Sequence, residues 1–221
     1  MVPEAHAFAN GPGEFRRPIT PAFSFDSPFA GPYHCRVGQN ARVAVFGRAD
    51  LLAGSEGYAQ AEELGSLLAG AGYVVLNGGY GGTMEAVSKG ASRAGGRVEG
   101  VVCRAFPERE PNAFLTERTW TDAPLSRTRL LIDRADAYVA LEPRAGTIAE
   151  VAALWALRKA GALPPRPLVL VGPAWEHLCT ALMEEGTVEK NLLEWSVRVS
   201  ECRQVLPVLA ALGTRENSQH G

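Results

Sequence analysis

The chain has 221 residues, of which 46% are apolar and 21% are charged, and this is the composition of an ordinary globular protein with a sizeable core. A formal net charge of −2 gives no overall attraction to nucleic acid or to an anionic membrane, so we expect neither as a partner. No apolar run approaches the roughly 20 residues that cross a bilayer, and the first residues lack the charged start and apolar core of a secretory signal. These features predict a cytoplasmic protein.

Residues 1–40 are rich in proline, glycine and scattered aromatic residues, and they show no sustained period of 2 or 3.6. We predict an irregular amino-terminal arm here. Its phenylalanines favour packing along the domain or against a partner subunit, among them Phe15, Phe23, Phe25 and Phe29. Residues 41–213 are predicted to form a single domain, and residues 214–221 a flexible polar tail.

From residue 41 onward, short apolar runs alternate with segments of helical period. The predicted strands cover residues 42–47, 73–78, 98–103, 118–122, 136–141, 167–172 and 195–200. The predicted helices cover residues 57–72, 83–96, a segment from Pro124, 146–161, 174–186 and 205–212. This alternation predicts an α/β fold with three layers, in which helices cover both faces of a central parallel sheet.

Ligands bind such a sheet at the carboxyl ends of its strands, which makes three loops candidates for a site. They begin at Gly47, Asn77 and Glu142 and cover residues 47–55, 77–83 and 142–147. The four cysteines (Cys35, Cys103, Cys179 and Cys202) lie far apart without C-x-x-C spacing, so we expect reduced thiols and neither a zinc site nor a redox pair.

The second candidate loop, within VVLNGGYGGTMEAV, places four glycines in five positions before Thr83: Gly78, Gly79, Gly81 and Gly82. Glycine is the residue most costly to order, so the cluster indicates left-handed turns or a close approach to the main chain. A strand, a glycine turn and a helix N-terminus together favour phosphate binding. The segment matches neither a Walker A loop nor G-x-G-x-x-G. Glycines that serve only a tight connection are the alternative.

The third candidate loop leads into a helix with one acidic side chain. Thr147 and Glu150 have the T-x-x-E spacing of a capping box. Yet Glu150 is the only polar residue of IAEVAALWAL, and a helix apolar all round is expected to be buried on more than one face. Its carboxylate is therefore either a cap or a group held for chemistry, with Arg127 as its available counter-charge. A solvated surface arginine is the alternative for Arg127.

The order GYGGTMEAVSKGASRAGG, then an arginine early in a helix, then DAYVAL followed by GTIAE, resembles the Lonely-guy (LOG) family of nucleotide phosphoribohydrolases. The similarity covers roughly residues 42–171. The interval of 23 residues from Arg127 to Glu150 matches that of the family's essential arginine and glutamate.

This resemblance implies a Rossmann-like fold, a homodimer with sites near the subunit interface, and hydrolysis of the N-glycosidic bond of a nucleoside 5′-monophosphate. It implies no metal and no cofactor. Glu150 would act on the glycosidic bond, and Arg127 would hold the phosphate or orient Glu150. The pocket would be lined by the glycines named above, Gly47, Thr83, Gly146 and Thr147. Glu85 would contact ribose hydroxyls, or would only complement its helix dipole.

This sequence departs from the family where the signature Pro-Gly-Gly-x precedes Gly-Thr, because Glu142-Pro143-Arg144-Ala145 stand there instead. Proline removes an N–H donor, and Glu142 adds a negative charge beside the expected phosphate. Thr128 replaces a usual lysine. Two outcomes are open: either Arg144 supplies the missing cation to a hydrolase, or the pocket binds a ligand without cleaving it, as in the related molybdenum-cofactor carrier proteins. A lysine decarboxylase is not favoured, since only Lys89 lies near a candidate loop.

Overall fold

The computed structural model describes residues 39–214. The predicted arm at residues 1–40 and the predicted tail at residues 214–221 therefore lie almost wholly outside the described residues. Within residues 39–214, no helix is both long and apolar enough to cross a membrane. Three of the four cysteines are described, and Cys103, Cys179 and Cys202 are buried free thiols.

Seven strands lie in the described part of the chain. They are β1 (Arg42–Phe46), β2 (Val74–Asn77), β3 (Val98–Cys103), β4 (Glu117–Thr121), β5 (Ala137–Ala140), β6 (Leu168–Val171) and β7 (Ser196–Val199). They form one sheet in the order β4-β3-β2-β1-β5-β6-β7, and every neighbouring pair is parallel. Apart from Arg42 at the start of β1, the inner strands are continuous runs of buried residues, because a parallel sheet is covered on both faces.

Seven helices connect and cover these strands. They are α1 (Glu56–Gly70), α2 (Thr83–Arg93), α3 (Pro124–Arg134), α4 (Ala145–Lys159), α5 (Pro173–Glu184), α6 (Lys190–Trp195) and α7 (Val205–Thr214). The sequence did not predict α6, whose six residues are too few to show a helical period. The predicted Rossmann-like α/β fold class, with helices on both faces of a parallel sheet, is confirmed.

The order of the strands fixes where a ligand crevice lies. The chain passes from β1 outward to β4 and then returns to β5 on the other side of β1. Right-handed crossovers in these two directions place their helices on opposite faces of the sheet. The topological switch point is therefore between β1 and β5, and ligands of open α/β sheets bind at the carboxyl ends of the strands there.

Candidate active site

The three predicted loops lie side by side at the carboxyl edge of the sheet, because β2, β1 and β5 are neighbours. The loop after β1 contacts both of the others. Its Arg48 carbonyl accepts the N–H of Thr83 at 2.9 Å, and its Arg48 guanidinium forms an ion pair with Glu142 at 2.9 Å. The segments that begin at Gly47, Asn77 and Glu142 thus form one continuous surface.

Arg48 spans the switch point. Its guanidinium binds Asp50 through two hydrogen bonds and Glu142 through a third, which ties the loop after β1 to the loop after β5. The adjacent arginine lowers the pKa of Asp50 to about 2. The expected extra negative charge at Glu142 is therefore balanced by a cation that the sequence analysis did not single out. The sequence feature that could have identified Arg48 is its position directly after the first strand.

The glycine loop after β2 is held by two asparagines that sequence reasoning also missed. Asn77 accepts the N–H of Gly79 at 2.7 Å and donates to Ser88 at 2.9 Å. Asn112, from the loop after β3, donates its side-chain amide to the Tyr80 carbonyl at 3.0 Å and its N–H to the Gly79 carbonyl at 2.8 Å. These bonds fix the loop in one shape before any ligand arrives.

Several of the predicted glycines serve contacts inside the protein. A β-carbon at Gly78 would lie 1.7 Å from Nη2 of Arg127, so this glycine makes room for the guanidinium. Gly82 has a φ of +67°, and a β-carbon there would lie 2.5 Å from the Arg48 carbonyl oxygen. Gly47 and Gly79 are equally crowded, by Thr83 and Val102. The tight-connection alternative thus accounts for part of the cluster.

Among the glycines predicted to line the site, Gly81 and Gly146 differ from the rest because they face free space. A β-carbon at Gly81 would lie 3.8 Å or more from its neighbours, one of which is the carboxylate of Glu85, and nothing lies within 4 Å at Gly146. The N–H of Thr83 is already bonded to the β1 loop, so the N-terminus of α2 is less open to an anion than the sequence predicted. Free space for a ligand is found beside Gly81, Glu85 and Gly146.

Arg127 is not a solvated arginine. It is half-buried on α3, where Nε donates to the Val101 carbonyl at 3.0 Å and the guanidinium lies 5.7 Å from the ring centroid of Tyr80. Burial lowers its pKa from the usual value, and the charge of Glu150 opposes this shift. The surface-arginine alternative is therefore wrong.

The N-terminus of α4 is open. The helix begins at Ala145 after Arg144, whose side chain makes no capping hydrogen bond. The first helical bond runs from the Ile148 N–H to the Arg144 carbonyl at 2.8 Å, so the N–H groups of Ala145, Gly146 and Thr147 have no acceptor inside the helix. Thr147 is the third helical residue, so the capping-box alternative for Thr147 and Glu150 is wrong.

Thr147 and Glu150 lie on the same side of α4, since residues three apart are neighbours on a helix. Among the described residues, Thr147 Oγ1 is the one buried side-chain oxygen or nitrogen without a hydrogen-bond partner. Buried polar groups are almost always bonded, so an orphaned hydroxyl at an open helix end is a candidate contact for a ligand.

Glu150 is a half-buried carboxylate that neither caps the helix nor forms an ion pair among the described residues. Burial raises its pKa to about 7, and the positive charge of Arg127 opposes the rise. A carboxyl group with this pKa exchanges its proton near neutral pH, as general acids and bases do. Strongly shifted pKa values of this kind occur mainly at functional sites.

The raised pKa makes a prediction about stability. The folded-state pKa of about 7 lies above the ordinary value of 4.5, so folding is favoured by protonated Glu150, and stability falls as pH rises from about 4.5 to 7. The loss approaches roughly 3 kcal/mol. We expect the Glu150→Gln variant not to show this loss of stability. Urea denaturation of the unmodified protein and the variant at pH 5 and pH 8 measures the free energy of unfolding. An equal pH dependence in the two proteins would contradict the prediction.

The sequence led us to expect α4 to be buried on more than one face, and the structure differs. In the single chain, α4 is buried on one face only, through Thr147 and three larger side chains. The opposite face is apolar and exposed, with Ile148 at 38% exposure beside three exposed alanines, Ala149, Ala152 and Ala156. Within one protomer the helix is thus not covered on more than one face.

Lys89 is engaged away from the loops. It forms an ion pair with Glu62 at 2.9 Å and lies 5.3 Å from the ring centroid of Tyr58, so it joins α2 to α1. Within residues 39–214, no cluster of three histidine, cysteine, aspartate or glutamate side chains is arranged to hold a metal ion.

The sheet order and the loops at its switch point define a Rossmann-like α/β protein. The family model described as the SLOG cluster4 family matches residues 40–164, more than half of the chain, and the chain belongs to that family. The resemblance to the LOG family, drawn from the motifs, is confirmed. Over 158 residues, the chain is 30% identical to the cytokinin riboside 5′-monophosphate phosphoribohydrolase of Mycobacterium tuberculosis, covering 68% of this chain and 83% of that protein.

Other similarities are less informative about activity. Over 120 residues the chain is 36% identical to an uncharacterized protein of Archaeoglobus fulgidus, covering 53% of this chain and 76% of that one. The molybdenum cofactor binding protein of Rippkaea orientalis has a TM-score of 0.64 at 21% identity, and the molybdenum cofactor carrier protein of Chlamydomonas reinhardtii has 0.61 at 24%. Each match covers 79% of this chain and 98% of the chain of the solved structure. At these identities the two structures support the fold alone.

Proposed function

We propose that the protein is a nucleoside 5′-monophosphate phosphoribohydrolase that releases a free base and ribose 5-phosphate. The observation that carries the proposal is the Glu150 carboxyl group, half-buried, unpaired among the described residues and with its pKa raised to about 7. A relative 30% identical to the chain is named as a phosphoribohydrolase. A carboxyl group that changes its proton near neutral pH can serve as general acid or base when an N-glycosidic bond is cleaved.

The 5′-phosphate is placed at the N-terminus of α4. Its free N–H groups, the orphaned Thr147 hydroxyl and the helix dipole all favour an anion there. Arg144, the exposed residue at the start of the helix, adds a positive charge where the family has a glycine. Gly146 and Gly81 leave room for the ligand, and Glu85 lies on the ribose side of it.

Glu150 then acts on the bond between C1′ and the base. Cleavage of this bond gives an oxocarbenium-like transition state, which a nearby carboxylate stabilises. Water adds to C1′, the base leaves with the bonding electron pair, and a proton passes from the water to the base. Arg127, whose charge opposes protonation of Glu150, keeps part of the carboxyl group ionised near neutral pH. No redox cofactor or metal takes part in this scheme.

The test is a panel of purified nucleoside 5′-monophosphates incubated with the protein, with free base followed by chromatography. We expect base release from at least one of them and its loss in Glu150→Gln. No release from any member of the panel would overturn the proposal.

A ligand carrier of the same fold is the second candidate. It is favoured by Pro143, which offers no N–H to a phosphate, and by the ion pair of Arg48 and Glu142, which stands across the switch point. A carrier would bind a nucleotide or a molybdenum cofactor tightly and release no base. Mass spectrometry of what copurifies with the protein separates the two functions.

We further propose that the protein acts as a homodimer in the cytoplasm, with the exposed apolar face of α4 as its interface. Ala152 lies in that face. We expect light scattering to give a dimer at micromolar concentration and Ala152→Arg to give a monomer, because a charge in an apolar interface is costly. Ala59→Arg, on the exposed side of α1, is the matched control and should leave the mass unchanged. A monomeric unmodified protein would contradict the proposal.

A further inference from the structure

Arg48 contacts both halves of the candidate site. Its carbonyl accepts the N–H of Thr83 at 2.9 Å on the side of the glycine loop, and its guanidinium binds Glu142 at 2.9 Å on the side of α4. Glu142 lies two residues before Arg144, the N-cap of that helix. Through Glu142, the guanidinium is therefore tied to the segment that leads into the open helix end.

The two carboxylate partners hold Arg48 in different ways. Asp50 accepts from Nε at 2.8 Å and from Nη2 at 3.1 Å, and this pair of bonds fixes the plane of the guanidinium. Glu142 accepts a single bond from Nη1, and its side chain is 58% exposed. Exposed ion pairs of this kind contribute little to stability. Glu142 can therefore leave while Asp50 keeps the guanidinium in position.

The groups at the N-terminus of α4 offer hydrogen bonds to an anion without a fixed positive charge. Its first N–H groups are neutral donors, and so is the buried hydroxyl of Thr147, which has no hydrogen-bond partner among the described residues. Pro143 has no N–H to add. Arg144 is exposed, and its charge also acts on Asp50, where it adds to the larger effect of Arg48 in lowering the pKa. Arg48 differs from Arg144 because Asp50 fixes its orientation.

We propose that Arg48 binds the 5′-phosphate of the nucleotide, and that the phosphate takes the place of Glu142 on Nη1. The inference rests on the placement of the phosphate in the proposed function and adds the residue that changes partners there. A phosphate monoester carries about −1.5 to −2 charge at pH 7 and three acceptor oxygens, so it competes well against a single carboxylate bond. The bonds to Asp50 and Glu142 use three of the five N–H donors of Arg48, which leaves two more for the ligand.

Calorimetric titration of the full-length protein with ribose 5-phosphate tests the exchange, because this probe carries the phosphate and has no base to release. Arg48→Gln should weaken binding at least about tenfold, the size of one hydrogen bond to a charged group. Glu142→Gln should tighten binding about three- to fivefold, because it removes a competitor held by an exposed ion pair. Unchanged affinity in Arg48→Gln, or no binding of ribose 5-phosphate to the unmodified protein, would overturn the proposal.

The double variant separates competition for Arg48 from simple repulsion of the phosphate by Glu142. If Glu142 competes for the guanidinium, its replacement should gain less than about 1.5-fold once residue 48 is glutamine, since only a screened surface charge is then removed. An equal gain with and without Arg48 would overturn the exchange. The matched control is the ion pair of Arg198 and Glu176, which has a length of 2.8 Å and similar exposure. Its two glutamine variants should leave the affinity unchanged.

A crystal structure of the unmodified protein with ribose 5-phosphate observes the exchange directly. We expect Nη1 of Arg48 within about 3.2 Å of a phosphate oxygen, with the carboxylate of Glu142 turned away from the guanidinium. The two bonds to Asp50 should remain. An Arg48–Glu142 bond that is retained in the complex would overturn the proposal.

The outcomes separate this inference from the proposed function. If ribose 5-phosphate displaces Glu142 from Arg48 and no nucleotide releases its base, the exchange stands and only hydrolysis is refuted. If base is released while Arg48→Gln binds ribose 5-phosphate as tightly as the unmodified protein, hydrolysis stands and the exchange is refuted.

Discussion

Replacing Glu150 with glutamine should lower kcat for base release by about 10³-fold, within the range that a single general acid or base contributes. Glutamine keeps the size and shape of the side chain but carries no charge and no exchangeable acid proton. It therefore removes the carboxylate that stabilises the oxocarbenium-like transition state, while the phosphate end of the site stays intact. Chromatography of the released base measures kcat, and the KM for the nucleotide should change by less than about threefold.

The pH dependence of the unmodified protein is the second part of this result. The carboxylate is the form that stabilises positive charge, so kcat should rise with pH through about 7, the pKa to which burial raises Glu150. The kcat of the Glu150→Gln variant should not change with pH near 7. A matched control is Glu185→Gln, an exposed carboxyl group after α5, which should leave both rate and pH profile unchanged. A variant with undiminished turnover would remove Glu150 from the mechanism.

The Glu150 carboxyl group has opposite effects on folding stability and on the proposed activity. A carboxyl group held away from hydrogen-bond donors destabilises the folded protein above pH 7, and the same isolation gives it a pKa near neutrality. Glu150→Gln should therefore be more stable and inactive. Proteins keep such a group where catalysis requires it.

The fold was predictable because its signals are local. Buried strands of a parallel sheet are short continuous apolar runs, and each is followed by a helical period, so six of the seven helices and all seven strands were placed within a few residues. Helix α6 was missed because its six residues end directly at β7, and no periodicity is visible over so short a length.

The site was predictable only in outline. The ends of β1, β2 and β5 located its loops, since ligands bind at strand ends. The pairing of Arg48 with Glu142, 94 residues apart, and of Asn112 with Tyr80, 32 apart, depends on the folded topology, and no local pattern shows it. The T-x-x-E spacing was misleading because the extended backbone at Arg144 makes Arg144 the N-cap. Thr147 is therefore already the third residue of the helix and cannot cap it.

Arg127→Gln should lower kcat/KM by about 10²-fold or more, the usual cost of one catalytic hydrogen-bond or charge contact. The substitution should also change the pKa of Glu150. Among the described residues, Arg127 is the positive group that lowers the pKa of Glu150, so its loss should move the rise in kcat with pH to a value above 7. Titration of kcat between pH 5.5 and about 9 measures the shift, and circular dichroism checks the fold.

The control for this experiment lies on the same helix. Arg129 is exposed and paired with Asp133, so Arg129→Gln changes the charge of α3 by the same amount at a distance from the loops. It should shift neither the rate nor the pH profile. Arg127→Lys keeps the charge but loses the hydrogen bond to Val101 and the stacking on Tyr80. We expect it to restore the pH profile without restoring the rate, because the profile depends on charge and the rate depends also on the planar geometry. A lysine variant with the same shifted profile as glutamine would show that Arg127 supports the fold of the loop and does not tune Glu150.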